Sequence, residues 1–163
     1  METEVFVHGA QCMCLSGQCY MSAVIGSRSA NRGQCAQACR LPFSAVGKPA
    51  EEYALSLKDM SLVRHVDELC DIGCASFKIE GRMKRPEYVA AAVTALRNAV
   101  DGTGDTDADM KRLEAVFSRS GFTDGYLMNR RGADMFGYRR KEDVVSADGV
   151  LSELAALYAK EKK

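Results

Sequence analysis

The chain has 163 residues, 47% of them apolar and 27% charged, with Lys+Arg and Asp+Glu both at 22. This is the composition of one ordinary globular domain, or of a large piece of a bigger one, and it excludes a disordered or fibrous chain. The zero net charge excludes a global pull toward nucleic acid or anionic lipid, so any such binding must come from local patches.

No apolar run approaches the ~20 residues needed to cross a bilayer. Glu2 and Glu4 stand where a secretory signal would be basic. The expectation is therefore a cytoplasmic protein whose thiols stay reduced. Seven cysteines, an odd number, then fit metal or cluster ligation, or buried thiols, better than a disulfide framework.

Taken in order, Glu4-Val5-Phe6-Val7 reads as a strand that exits at His8-Gly9. Because this strand opens abruptly at Met1, the chain reads as a piece whose first half is missing. Residues 20–25 suit a short helix, and 26–33 are loop by composition. Leu41-Pro42-Phe43 suits the start of another short strand, with Gly47-Lys48-Pro49 as a turn. Tyr53 to Leu57 reads as a strand. Ser61 is placed to cap a helix with Leu62, Val66 and Leu69 on its apolar face, stopped by Gly73.

Ala75 to Gly81 reads as the next strand, and Pro86 opens a helix with Val89, Ala92, Val93, Leu96 and Val100 at helical spacing, ended at Asp101-Gly102. Strand, helix, strand and helix with short connections predict a parallel β/α unit, which places chemistry at strand exits. Those exits are His8-Gly9-Ala10, Lys58-Asp59 and Glu80-Gly81-Arg82. The expected division is 1–102 as a barrel-like part and 103–163 as an extension. In the extension Met110, Leu113, Val116 and Phe117 form a helical stripe, 118–140 is Gly- and Arg-rich, and a final helix starts near Ser146 with Leu151, Leu154 and Tyr158 on one face.

Five cysteines, Cys12, Cys14, Cys19, Cys35 and Cys39, fall between Glu2 and Arg40. Thiolates are the usual iron–sulfur ligands, and zinc takes the same sulfur set, so either centre is open, beside the plain reading of small buried side chains. Cys70 and Cys74, in and just after an amphipathic helix, suit the buried reading. His8, at a strand exit beside the cysteines, suits a ligand or a proton-transfer group, whereas His65 reads as a helix-surface residue. Lys78 and Glu80 share one strand face, with Arg82, Lys84 and Arg85 following, which suits a barrel mouth or an ion pair. Arg130-Arg131 and Arg139-Arg140-Lys141 form a local basic surface that suits phosphate or a solvated face. Zincin, hydrolase-elbow and P-loop signatures are absent.

The run Glu4-x-Phe6-x-x-Gly9-Ala10-x-Cys12-x4-Gly17-x-Cys19-x-Met21-Ser22 resembles the pattern of the peptidase U32, or collagenase-like protease, family. So do the blocks Asn31-Arg32-Gly33-x-Cys35-Ala36-Gln37-x-Cys39-Arg40, Phe77 to Lys84 and Gly121 to Leu127. Gln11, Ser61 and the extra Cys14 depart from that pattern. The resemblance implies an α/β fold, the C-terminal part of a TIM-like barrel with a small C-terminal extension and the N-terminal barrel half missing. It also implies two activities. One is proteolysis, for which a cysteine nucleophile with His8 as base is the only candidate here. The other is that of relatives which bind a [4Fe-4S] cluster and hydroxylate a tRNA uridine, an rRNA cytidine or ubiquinone. Carried over by position, Cys12, Cys19, Cys35 and Cys39 would hold the cluster, with zinc as the alternative, and His8, Lys78, Glu80 and Arg82 would meet the substrate. The Asn-Arg-Gly-x-Cys-Ala-Gln version resembles the RNA-acting branch, making RNA the expected partner. A structural metal module, or a truncated chain without its own activity, is the remaining expectation.

Overall fold

The computed structural model describes residues 1–43, 46–47, 53–139, 143 and 148–159. Four strands form one sheet: β1 (Glu4–Ala10), β2 (Asp59–Ser61), β3 (Ser76–Ile79) and β4 (Phe122–Thr123), in the order β3-β1-β2-β4. The pairs β1–β3 and β2–β4 are parallel, whereas β1 and β2 run antiparallel, with His8 opposite Ser61 and Ala10 opposite Asp59. The fold is thus mixed α/β, and the expected all-parallel unit is broken at its centre.

The strand expected at Tyr53–Leu57 does not form. A turn at Ala54-Leu55 takes its place, and the next strand starts at Asp59. The cause is a distant partner. Lys58 N–H donates to the Met135 carbonyl at 2.8 Å, Gly137 N–H donates to the Ser56 carbonyl at 2.9 Å, and Leu57 bridges Phe136. These backbone groups are satisfied outside the sheet, and Tyr53 stacks on Tyr138 with ring centroids 4.6 Å apart. Phe43 makes a lone bridge, and Lys48, Pro49, Arg140, Lys141 and Ser146 lie outside the described residues.

Helices among the described residues are α1 (Met21–Gly26), α2 (Val66–Asp71), α3 (Pro86–Asp101), α4 (Thr106–Val116) and α5 (Asp148–Ala159). Helix α2 starts later than expected, because Ser61 belongs to β2 and a 3₁₀ turn at Val63–His65 intervenes. Its apolar face is nonetheless Leu62, Val66 and Leu69, all buried. Pro86 occupies the first turn of α3, where its missing N–H costs nothing. Gly102, at φ +63°, ends that helix in a left-handed cap. Asp105 caps α4 by accepting from the Asp107 and Ala108 N–H groups at 2.9 and 3.2 Å.

The buried stripe of α3 keeps Ala92 and Leu96 of the expected face but not its valines. Tyr88, Ala91, Ala92, Ala95 and Leu96 face the core, while Val89, Val93 and Val100 are exposed. The alanines explain the choice: small side chains let α4 and α5 approach α3 closely. The core joins Val7, Leu62, Val66, Leu69, Tyr88, Ala92 and Leu96 with Leu113, Val116 and Leu154 from beyond Gly102. Burying each large apolar side chain contributes about 1.5–3 kcal/mol. Leu151 packs against this core from α5, and the Tyr158 side chain lies outside what is described.

Strand directions decide where chemistry can gather. The C-terminal ends of β1 and β3 and the N-terminal ends of β2 and β4 meet at one end of the sheet. Gln11, Asp59, Glu80 and the segment before Phe122 all emerge there.

Candidate functional site

Beyond Ala10 the chain leaves the sheet as an arm, residues 11–40, with little regular structure. The arm is tied back by Arg40. Its guanidinium donates to the Gln11 carbonyl at 2.5 Å, to Ser56 Oγ at 3.2 Å and, through Nη1, to the Leu57 carbonyl. Ser22 on α1 accepts from the Ala36 N–H at 3.0 Å, and Asn31 donates to the Gly17 carbonyl at 3.0 Å, joining the two halves of the arm.

Between those halves lies a cavity of about 690 Å³, lined by Cys12, Cys14, Cys19, Cys35 and Cys39. Met13, Leu15, Tyr20 and Leu55 supply hydrocarbon, and none of the described residues lining it carries a Lys, Arg, Asp or Glu side chain. The Cys39 thiol is pushed up chiefly by burial. Cys12, Cys35 and Cys19 act on it in the same direction and Arg40 opposes them. Cys14 lines the same cavity. Gln37, in the left-handed region at φ +56°, turns its N–H onto Cys35 Sγ at 3.3 Å.

These residues fit an iron–sulfur cluster: five cysteines, the four expected ligands among them, line one roomy, largely apolar cavity, with a backbone donor on Cys35. Among the described residues no group of three His, Cys, Asp or Glu side chains stands close enough to hold a single metal ion. A multi-iron cluster keeps its ligands farther apart than a single ion does. Cys70 is exposed, and Cys74 donates toward the Thr3 carbonyl at 3.8 Å, at the opposite end of the sheet. Neither reaches the arm.

His8 does not sit with the cysteines. Val7 is an extra residue in the β1–β3 pairing, since Phe6 lies opposite Lys78 and His8 opposite Ile79. The bulge buries both Val7 and His8, where simple alternation would expose one of them. The His8 ring packs between Phe122 and Tyr88, with centroids at 5.3 and 5.6 Å, and neither ring nitrogen has a hydrogen-bond partner among the described residues. Burial, assisted by the nearby Lys84, lowers its pKa to about 4, so the ring is neutral. His65 bonds to Asp124 at 2.9 Å and faces Glu68 at 3.5 Å. Neither histidine is hydrogen-bonded to a cysteine, so the Cys–His pair that a cysteine peptidase requires is not assembled.

The other expected substrate residues scatter. Lys78 pairs with Glu4 at 2.6 Å on the exposed surface. Glu80 acts through its backbone, donating from N–H to the His8 carbonyl at 2.8 Å and accepting from the Tyr88 hydroxyl at 3.1 Å. Arg82 alone reaches the arm, its Nη2 lying 3.6 Å from where a side chain on Gly33 would begin. Arg130 is engaged by Asp124 at 2.8 Å.

A second cavity, of about 470 Å³, includes Arg139 from the basic run expected to suit phosphate, but its other cations were not read from the sequence. Lys84, Arg85, Arg119 and Arg139 line it with Tyr88 and Phe117, and Gln37 of the arm closes one side. Arg119 Nη1 donates to the buried Asp59 Oδ1 at 2.6 Å. Its four cations come from three separate stretches, so no spacing announces them. The signal available was that Lys84 ends the Phe77–Lys84 block and that Arg119 and Gly121 flank the start of another.

The chain matches the family profile described as Peptidase family U32 over residues 1–136, and it belongs to that family. It is 38% identical over 142 residues to a collagenase of Porphyromonas gingivalis, covering 78% of this chain and 34% of that protein. It is 36% identical over 157 residues to the 23S rRNA 5-hydroxycytidine C2501 synthase of Escherichia coli, covering 89% and 23%. It is 38% identical over 112 residues to tRNA hydroxylation protein P1 of Bacillus subtilis, covering 62% and 26%. The chain thus spans about a quarter to a third of the length of these relatives. No solved structure matches it significantly.

Proposed function

We propose that this chain is the cluster-bearing part of an iron–sulfur-dependent RNA base hydroxylase acting on a tRNA uridine or an rRNA cytidine. The observation that carries this reading is that Cys12, Cys19, Cys35 and Cys39 line one cavity, together with Cys14. Relatives named for rRNA and tRNA hydroxylation, at 36% and 38% identity, support RNA as the substrate class. A bound [4Fe-4S] cluster would supply one-electron chemistry. The protein's own contribution is to hold the four thiolates, to place the hydrocarbon of Met13, Leu15 and Tyr20 beside them, and to balance their charge with Arg40. Arg82, beside Gly33, meets a substrate approaching the arm. A cytoplasmic setting, which keeps the thiols reduced, belongs to the same reading. The parallel pairs β1–β3 and β2–β4 support a TIM-like barrel in the longer relatives, and the antiparallel β1–β2 pair runs against it.

The decisive experiment is anaerobic purification with iron and sulfide analysis, followed by nucleoside analysis of RNA from a strain lacking the gene. Four iron and four sulfide per chain, with loss of a hydroxylated pyrimidine in that strain, are the expected results. A protein that stays colourless and iron-free after anaerobic reconstitution sinks the cluster reading, and unchanged hydroxypyrimidines sink the RNA reading. The name collagenase on one relative favours proteolysis as the second reading. Gelatin cleavage that survives iron removal but is lost in Cys→Ser variants would establish it.

A further inference from the structure

The second cavity gathers four cationic side chains, and none of its described lining residues is acidic. Three cations crowd one ring: Lys84 Nζ lies 2.8 Å from the Phe117 centroid, and the guanidinium carbons of Arg139 and Arg119 lie 4.5 and 5.0 Å from it. Arg85 lines the same space, and Arg40 is near enough to act on Lys84. Among the described residues, carboxylates that act on these groups include Asp59, already bonded to Arg119, and Asp143, which acts on Arg139. Burial first, and then the like charges of Arg119, Arg139 and Arg40, hold the Lys84 ammonium down at about 8 despite Asp59. Like charges held together out of water repel strongly, and an anion seated among them relieves that repulsion.

The opposite wall is hydrocarbon, from Met83, Val116 and Leu151. At about 470 Å³ the space lies within the range of about 300–1,000 Å³ typical of small-molecule sites. A guanidinium presents a fork of N–H donors that matches the two oxygens of a carboxylate or phosphate. Lys84 already covers the face of Phe117, so recognition there comes from charge and from the aliphatic wall, not from stacking on that ring.

We propose that this cavity is a binding site for an oxyanion-bearing small ligand, a phosphate monoester or a carboxylate, held by Lys84, Arg119 and Arg139. The site is separate from the cysteine cavity and shares with it only the segment around Gln37, so the proposal does not depend on the cluster or RNA readings.

The test is calorimetric titration of the full chain at low salt with inorganic phosphate, uridine 5′-monophosphate and succinate in turn. The expected result is saturable binding of at least one of them, weakened about tenfold or more by Lys84→Met and by Arg139→Gln, since each removes a charged hydrogen-bond donor. Both variants leave the Asp59–Arg119 pair in place, and circular dichroism checks their folding. Should either unfold, the exposed Arg85→Gln variant replaces it. Preference for uridine monophosphate over succinate identifies a nucleotide phosphate as the source of the anion, and the reverse identifies a free organic acid. Absence of binding by all three ligands overturns the proposal, as does binding that the variants leave unchanged.

Discussion

Arg119 Nη1 donates to Asp59 Oδ1 at 2.6 Å across 60 positions of sequence, and the Asp59 side chain is only 1% exposed. The pair joins the N-terminal end of β2 to the segment entering β4, so it locks two strands and the floor of the cationic cavity together. Removing Arg119 leaves the buried Asp59 carboxylate without its hydrogen-bonded partner. Arg119→Met is expected to cost about 3–5 kcal/mol, with the double variant Asp59→Leu/Arg119→Met recovering most of it. Urea unfolding of the three proteins checks this, and a single variant within about 0.5 kcal/mol of the parent would show that the pair contributes little.

Gly9 has no room for a side chain. A Cβ there would lie 2.5 Å from the Glu80 carbonyl oxygen and 2.7 Å from Glu80 Cβ, at a φ of +134° that side-chain-bearing residues rarely adopt. Gly9→Ala should therefore destabilise by about 2 kcal/mol or more, from strain and from displacement of the β3 exit. Thermal unfolding reads the effect, and an unchanged midpoint would contradict the close approach of the two strands.

His8 makes stability depend on pH with a definite sign. Its folded pKa of about 4 lies below the ordinary value of 6.5. Between those values the unfolded chain binds the proton and the folded one does not. The contribution is complete above about pH 6.5 and is lost progressively as the pH falls toward 4, by roughly 3 kcal/mol at most. His8→Phe removes the two unpartnered nitrogens, so its stability should fall less than the parent's across that window. Parallel slopes for the two proteins would show that His8 does not titrate as its burial requires.

The five arm cysteines should separate by function. After anaerobic reconstitution, Cys39→Ser is expected to lose most of its iron, while Cys14→Ser keeps the parental content, because Cys14 is extra to the family pattern that the other four cysteines match. Iron analysis beside visible absorbance decides it. Equal loss in both variants would assign Cys14 to the ligand set.

What was legible in the sequence was local. Strand β1, the bounds of α3 and the apolar faces of α2 and α4 follow from periodicity, from Pro86 and from Gly102, all of which act within a few residues. What escaped depends on partners far along the chain. The 53–57 segment carries strand-like residues, yet its neighbours 56–58 are satisfied by 135–137. Helix α3 carries two apolar stripes, and only the bulk of α4 and α5 decides which is buried. The burial of His8 depends on a one-residue slip against β3 that no local pattern encodes. The cysteine arm was readable because its residue types are chemically distinctive. The cationic cavity was not, because arginines and lysines are ordinary surface residues until a fold crowds them.

Arg40 sets the conditions under which the arm exists at all. Its contact with the Gln11 carbonyl closes a loop of 29 residues, and in chain-statistics terms closing such a loop costs on the order of 3 kcal/mol before any contact inside it is rewarded. Of the arm's residues, Ala38 is among the few apolar side chains that are buried, so hydrophobic burial offsets little of that cost. The arm therefore opens at a lower free energy than the sheet and helices beneath it. Anything that bridges its two halves is in effect a second clasp, converting a weakly ordered segment into a fixed one without changing the core.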